Sequence, residues 1–251
     1  MGFNRMCQEN CSVGYLSDKG NIREINEDYL GFYEDHKVKL YVIADGMGGH
    51  NAGDVASKVA VESCINYIKQ LKEIKDIDKV LREAITYANE IVYEKSKAND
   101  NLKGMGTTIT ACFMLEKEVV IANVGDSSCY AVTENRIEKI TKDHSLVQEL
   151  IDDGSITEQE ALTHPNKNII TRALGTRKTV EIDIFTRKTD EIQKFILCTD
   201  GLTNEVNKKE MYDIILKNDN NDACRVLIEA AKNKGGRDNI SVIVFGGECK
   251  K

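Results

Sequence analysis

The chain has a single proline, Pro165, in 251 residues and no Ser/Gly-rich or low-complexity tract. Nothing therefore serves as a linker, and the length is compatible with one domain, 1–251. No self-similar period is present, which excludes a solenoid or propeller array. No apolar run approaches the ~20 residues of a membrane span. Residues 1–20 lack the apolar segment of a secretory signal, and the start Met1-Gly2-Phe3-Asn4-Arg5-Met6 lacks the Ser/Thr of a myristoylation site. Basic charge is also scarce: 34 Lys and Arg stand against 41 Asp and Glu, a net charge of -7, with no basic run interleaved with aromatics. Neither nucleic acid nor an anionic membrane is the expected partner.

Eight cysteines are present, but their context opposes a disulfide framework. Cys64, Cys112, Cys129 and Cys198 fall inside apolar helix- or strand-like runs, where a free thiol behaves as a small hydrophobe. Cys7 and Cys11 form one close pair with no second pair to complete a zinc site. Reduced thiols and a cytoplasmic location are expected.

Short strands are expected at 11–17, 28–34 and 38–44, then helices over about 51–71 and 78–97 with apolar residues at three- and four-residue spacing. The runs 106–114, 118–124, 127–133 and 136–140 are β-branched and too closely spaced for crossover helices, so antiparallel hairpins are expected. Residues 145–177 interrupt the series. Ser145 with Gln148, and Thr157 with Glu160, each read as a capping-box start, predicting two short helices. The wider segment 141–177 is polar and flap-like, a candidate for substrate gating. Strands at 180–186 and 194–199, helices at 207–217 and 221–233, and a strand at 240–245 complete an α+β layered protein.

Against this background four acidic stretches end or interrupt apolar runs: Val42-Ile43-Ala44-Asp45-Gly46-Met47-Gly48-Gly49, Ala122-Asn123-Val124-Gly125-Asp126-Ser127, Ile196-Leu197-Cys198-Thr199-Asp200-Gly201 and Gly235-Gly236-Arg237-Asp238-Asn239. Each reads as a strand tip delivering a carboxylate. Several such tips together would need cations, and oxygen ligands suit hard divalent metals. Taken singly, Asp200 and Asp238 are better explained as turn formers or helix caps, and Asp126 is as well explained as a turn cap. At Asp45 a plain strand end before a flexible turn is the weaker reading.

The ordered set Arg23-Glu24-Ile25-Asn26-Glu27-Asp28, Asp45-Gly46-Met47-Gly48-Gly49-His50, Gly104-Met105-Gly106-Thr107-Thr108, Gly125-Asp126-Ser127, Asp143-His144-Ser145, Thr171-Arg172-Ala173-Leu174-Gly175, Thr199-Asp200-Gly201-Leu202-Thr203 and Asp238-Asn239-Ile240-Ser241 resembles the motifs of the metal-dependent (type 2C) serine/threonine protein phosphatases, in particular their compact bacterial members. The resemblance implies an α-β-β-α sandwich, two antiparallel sheets flanked by helix pairs with the site at one end. It implies two Mn²⁺ or Mg²⁺ ions and a possible third. Asp45 would bridge two metals, the Gly46 carbonyl would ligate one, and Asp200 and Asp238 would hold the other. Glu27 would act through a water, Asp126 with Asp200 would form a third site, and Arg23 would clamp the phosphate. Phosphorylated proteins would be the substrates, a Ser/Thr kinase the biological opponent, and the working form a monomer.

Two positions depart from the family pattern. Met47 stands where many eukaryotic members carry His, and Ser128 where relatives commonly carry Arg. His50 is a candidate general acid, or simply a hydrogen-bonded histidine at a helix entry; His144 and His164 receive no catalytic role. Two other readings remain open at this stage: a phosphoprotein-binding module without turnover, and a two-metal phosphodiesterase.

Overall fold

Chain periodicity becomes layers in the computed structural model, which describes residues 13–48 and 52–246. The strands are β1 (Gly14–Asp18), β2 (Asp28–Glu34), β3 (Val38–Met47), β4 (Gly106–Thr107), β5 (Ile109–Leu115), β6 (Glu118–Val124), β7 (Ser128–Val132), β8 (Ile137–Lys139), β9 (Asp183–Lys188), β10 (Lys194–Cys198) and β11 (Ile240–Gly246). The helices are α1 (Gly53–Lys69), α2 (Ile77–Ala98), α3 (Leu146–Asp152), α4 (Glu158–Ala161), α5 (Asp200–Thr203), α6 (Lys208–Lys217) and α7 (Asn220–Asn233). One sheet has the order β1-β11-β10-β7-β8 and the other β2-β3-β5-β6-β9, with β4 paired to β3. Every pairing is antiparallel, as the short connections predict.

Three apolar layers hold the sandwich together. Leu40, Val42, Ile109, Ala111 and Phe113 pack on α1 and α2 through Ala56, Ala60, Leu81, Ile85 and Val92. Ile196, Cys198, Val242 and Val244 pack on α6 and α7 through Met211, Ile215, Leu227 and Ile228. Between the sheets lie Tyr41, Ile43, Cys112, Ile121, Phe195, Leu197, Ile243 and Phe245. Here Tyr41 stacks on Phe245 at 3.8 Å between ring centroids, and Phe195 stacks on Phe245 at 5.4 Å. Each such buried side chain contributes about 1.5–3 kcal/mol.

Helix ends follow their caps. Asp76 accepts the Lys79 amide at 3.0 Å to start α2. Thr157 and Glu160 form the predicted capping box of α4. At α3 only half the box forms: Ser145 accepts the Gln148 amide, while the Gln148 side chain turns to Asp152 at 3.1 Å. An i,i+4 partner on the same helix face outcompetes the backbone for that amide. β9 begins three residues later than the alternation suggests. Val180 and Ile182 instead pack against the cluster on the helix side of the sheet.

The interlayer changes character at one end. Continuing each strand's two-residue alternation, Leu30 and Phe32 lead to Asp28, Tyr41 and Ile43 to Asp45, and Phe195 and Leu197 to Thr199. Likewise Cys112 leads to Thr110, Ile121 to Asn123, and Ile243 to Ser241. A dry apolar layer thus ends in a polar one, and the loops at that end carry the acidic stretches.

Candidate active site and metal centre

Asp45 is not at a strand tip. β3 runs two residues further, and Asp45 sits within it, directly opposite Asp28 of β2. Antiparallel pairing brings two carboxylates side by side, where like charges oppose one another. The Asp45 main chain is held firmly: its N–H donates to Thr108 Oγ1 at 2.8 Å, and its carbonyl accepts from the Thr108 amide at 2.9 Å and from Thr107 Oγ1 at 2.8 Å. Asp126 occupies the turn between β6 and β7. Asp200 is the first residue of the one-turn helix α5, and Asp238 precedes β11. Two of the four expected tips therefore differ, because strand ends are decided by pairing partners rather than by the Asp-Gly step.

The electrostatics show that these groups share one site. Burial between the sheets raises the Asp45 carboxyl well above its usual range, and the charges of Asp28, Asp200, Asp126 and Asp238 raise it further. Asp126 is pushed up by burial and then by Asp200 and Asp143. Asp200 rises to about 6, through burial and then Asp238. Asp28, buried and without a metal role in the sequence reading, rises to about 7, chiefly through burial. Glu27 is also raised by burial.

A guanidinium answers this cluster. Arg23 Nη2 donates to Asp238 Oδ2 at 2.9 Å, and that bond, helped by the charges of Asp238, Glu27 and Asp45, raises its guanidinium against the opposing effect of burial. Its side chain is 51% exposed, so the rest of its donor fork faces solvent.

Several positioning residues were missed in the sequence. Asn239 Oδ1 accepts the Glu27 amide at 2.8 Å, while its Nδ2 donates to the Lys19 and Ile25 carbonyls at 3.0 and 2.9 Å. It ties the Arg23–Glu27 loop to the Asp238 turn. Thr199 Oγ1 donates to Asp28 Oδ2 at 2.9 Å and accepts the Ser241 amide at 3.0 Å. Asn204 Nδ2 donates to Asp200 Oδ2 at 3.0 Å. The Glu27 carboxylate lies against Gly53, and a Cβ on Gly53 would overlap its Oε1. A Cβ on Gly46 would likewise overlap the Gly53 carbonyl, so both glycines are needed for this close approach. Asn239 and Thr199 lie inside the family motifs, but their partners are 42 to 220 residues away and no local pattern shows them.

The residues fit divalent cations. Glu27 Oε1, Asp28 Oδ1, Asp126 Oδ1 and Asp200 Oδ1 are buried atoms with no hydrogen-bond partner, a costly arrangement unless cations face them. The donors are all oxygen, which suits Mg²⁺ or Mn²⁺ rather than zinc. No three acidic, His or Cys side chains among the described residues are grouped so as to hold a metal ion by themselves, which leaves waters and main-chain oxygens to complete any coordination. An open carboxylate set suits Mg²⁺, which keeps several of its waters. Gly49 and His50 lie outside the described residues. Ser128 is buried in β7 opposite Cys198, so that position faces no substrate.

Comparison with known proteins agrees with this geometry. The sequence profile of the protein phosphatase 2C family matches residues 22–229. The chain belongs to the protein phosphatase 2C family. It is 41% identical over 235 residues to the serine/threonine phosphatase Stp of Listeria welshimeri, covering 92% of this chain and 93% of that protein. The crystal structure of serine/threonine phosphatase Stp1 from Staphylococcus aureus superposes with a TM-score of 0.90 at 36% identity, covering 94% of this chain and 95% of that one. The catalytic domain of the serine/threonine protein phosphatase PstP, in complex with two manganese ions, gives a TM-score of 0.83 at 31% identity over 94% and 97% of the two chains. The expected family and four-layer α+β fold are thus both observed, and Mn²⁺ or Mg²⁺ is the cofactor of a protein phosphatase 2C. No helix among the described residues is long and apolar enough to cross a membrane.

Proposed function

We propose that this protein phosphatase 2C hydrolyses phosphoserine and phosphothreonine in proteins, with Arg23 holding the phosphate and Asp45, Gly46, Asp200 and Asp238 holding two Mn²⁺ or Mg²⁺ ions. The carrying observation is a group of carboxylates with unpartnered buried oxygens beside a half-exposed arginine. Glu27, packed against Gly53, acts through a water, and Asp126 with Asp200 forms a third site. When bound, such cations supply the positive charge that acidifies an attacking water and offsets the phosphoryl charge. Arg23 presents unused donors toward solvent, a planar fork matched to phosphoryl oxygens. Asp238 keeps that fork aimed at the carboxylates, and Asn239 fixes the loop that carries it. Asp45 is kept in place by its main-chain bonds to Thr107 and Thr108, so its carboxylate can meet a cation without reorganisation.

The test is phosphate release from a phosphothreonine peptide in Mn²⁺, compared with a diester substrate. Release that requires Mn²⁺, stops with chelator and spares the diester is expected; a rate unchanged by chelator counts against the reading. Arg23→Lys keeps the charge but loses the fork. One charge-assisted hydrogen bond is worth about 1.5–3 kcal/mol, so kcat/KM should drop roughly 10- to 100-fold, at 1.36 kcal/mol per factor of ten. An unchanged kcat/KM would remove Arg23 from phosphate binding.

The chain acts as one catalytic domain with a flap-like insertion over 141–177. Two observations support a gating role. Within it Lys167 donates to Asn204 Oδ1 at 3.3 Å, and Asn204 in turn holds Asp200. Trimming the insertion should change the preference among phosphopeptides more than the hydrolysis of a small aryl phosphate. Equal losses on both substrates would count against gating. We further infer a monomer working in the cytoplasm opposite a Ser/Thr kinase. The free buried thiols of Cys64, Cys112, Cys129, Cys198 and Cys224 support a reducing compartment.

A further inference from the structure

His144 received no role in the sequence reading, yet the fold places it against Gly125, the residue before Asp126. Its side chain is only 7% exposed. The buried Gly125 amide donates to His144 Nδ1 at 3.1 Å, and the His144 main-chain N–H donates to the Gly125 carbonyl at 2.9 Å. One residue therefore takes both polar groups of the glycine that precedes Asp126. Gly125 has φ 109°, and a Cβ there would press into the Thr108 side chain, so the turn admits no other residue without strain.

The direction of these bonds sets the imidazole tautomer. Nδ1 accepts an amide proton and so carries a lone pair, which leaves the ring proton on Nε2. Nε2 lies 3.2 Å from Asp183 Oδ2, which accepts that proton. Arg172 Nη1, 3.1 Å from Nε2, is a donor facing a donor; its own hydrogen bond goes to Asp183 Oδ1 at 2.8 Å. The array runs from Arg172 to Asp183 to His144 to Gly125, each group orienting the next. Asp126 Oδ1 has no hydrogen-bond partner of its own, so the backbone turn, rather than a side-chain bond to that oxygen, determines where it points.

We propose that His144 is a positioning residue: as a neutral imidazole fixed by Asp183, it clamps the Gly125 turn and so aims the Asp126 carboxylate at a cation. This rests on the reading of Asp126 as a metal ligand. Partners that orient a ligand typically set its metal affinity by roughly 10- to 100-fold.

The test counts Mn²⁺ ions and their affinities on the full chain by the electron paramagnetic resonance signal of free Mn²⁺. Three variants are compared: His144→Phe keeps a buried ring without an acceptor, His144→Asn restores an acceptor oxygen, and Asp126→Asn marks the site itself. His144→Phe should weaken the same Mn²⁺ site that Asp126→Asn removes, roughly 10- to 100-fold, with the other sites kept; His144→Asn should recover most of the loss. Should His144→Phe not fold, Asp183→Asn, at a half-exposed position, should weaken the same site several-fold. In wild type, ring ¹⁵N shifts should show an unprotonated Nδ1, and the Gly125 amide should be slow to exchange. If Asp126→Asn removes a site that His144→Phe and Asp183→Asn leave intact, or if Nδ1 is protonated, the His144 role is overturned. If Asp126→Asn changes no site, the reading of Asp126 fails, and this inference goes with it.

Discussion

Asp45→Asn should lower phosphate release about a thousand-fold or more while raising the melting temperature of the metal-free protein. The two effects have one cause. Asp45 faces Asp28 across β2 and β3, and its carboxyl is raised by burial and by four neighbouring carboxylates. Asparagine keeps the shape and removes the charge. Metal assistance contributes several kcal/mol to a reaction of this type, and each 1.36 kcal/mol is tenfold in rate. In the absence of cations the same substitution removes a buried carboxyl crowded by like charges, and so relieves the repulsion. For a chain of this size each kcal/mol so relieved raises Tm by roughly 2–4 °C. Lost activity with gained stability cannot come from misfolding. Activity within tenfold of wild type, or a lower metal-free Tm, would sink the assignment.

Stability should depend on pH with opposite signs in the metal-free and Mn²⁺-saturated protein. Asp28 at about 7 and Asp200 at about 6 both lie above the ordinary 3.8 of a carboxyl. Between pH 4 and 7 the native state therefore holds more protons than the unfolded chain. Stability then falls as pH rises through that window and levels off above it. Carboxyls lowered by partners, such as Asp18 with Lys232 or Asp183 with His144 and Arg172, contribute stability that is lost only on acidification below about pH 4. They do not mask the trend between pH 5 and 8. The metal-free protein should lose about 1–3 kcal/mol over that range, allowing for coupling between the groups. Mn²⁺ binds only the native, deprotonated set, so with saturating metal stability should rise with pH instead. Thermal melts at pH 5, 6, 7 and 8, with Mn²⁺ and with chelator, check both signs. A metal-free Tm that is flat or rising would contradict the raised carboxyls.

Most of the fold was legible because it depends on local periodicity. The stripe of Leu81, Ala84, Ile85, Ala88 and Val92 specifies an inward helix face wherever α2 is placed. The closely spaced runs from 106 to 140 leave room only for antiparallel hairpins. The acidic stretches were equally visible, and their order along the chain carried the family resemblance. Less visible was α5, which turns Asp200 from a strand tip into a helix start. Nor did local pattern show that Asp28 is as deeply involved as the four quoted aspartates. Its neighbour across the sheet is Asp45, a pairing set by the β2–β3 register.

The sequence alone therefore determined which side chains share a face: alternation puts Tyr41, Ile43 and Asp45 on one side of β3, and Phe195, Leu197 and Thr199 on one side of the β10 strand and its continuation. Only the tertiary structure decided which faces meet. Arg23 with Asp238, Thr199 with Asp28, and His144 with Asp183 become partners when the sheets close around the apolar interlayer. Side-chain direction follows from backbone geometry within a few residues. Contact across more than a hundred residues depends on the whole core closing, which no short window of sequence contains.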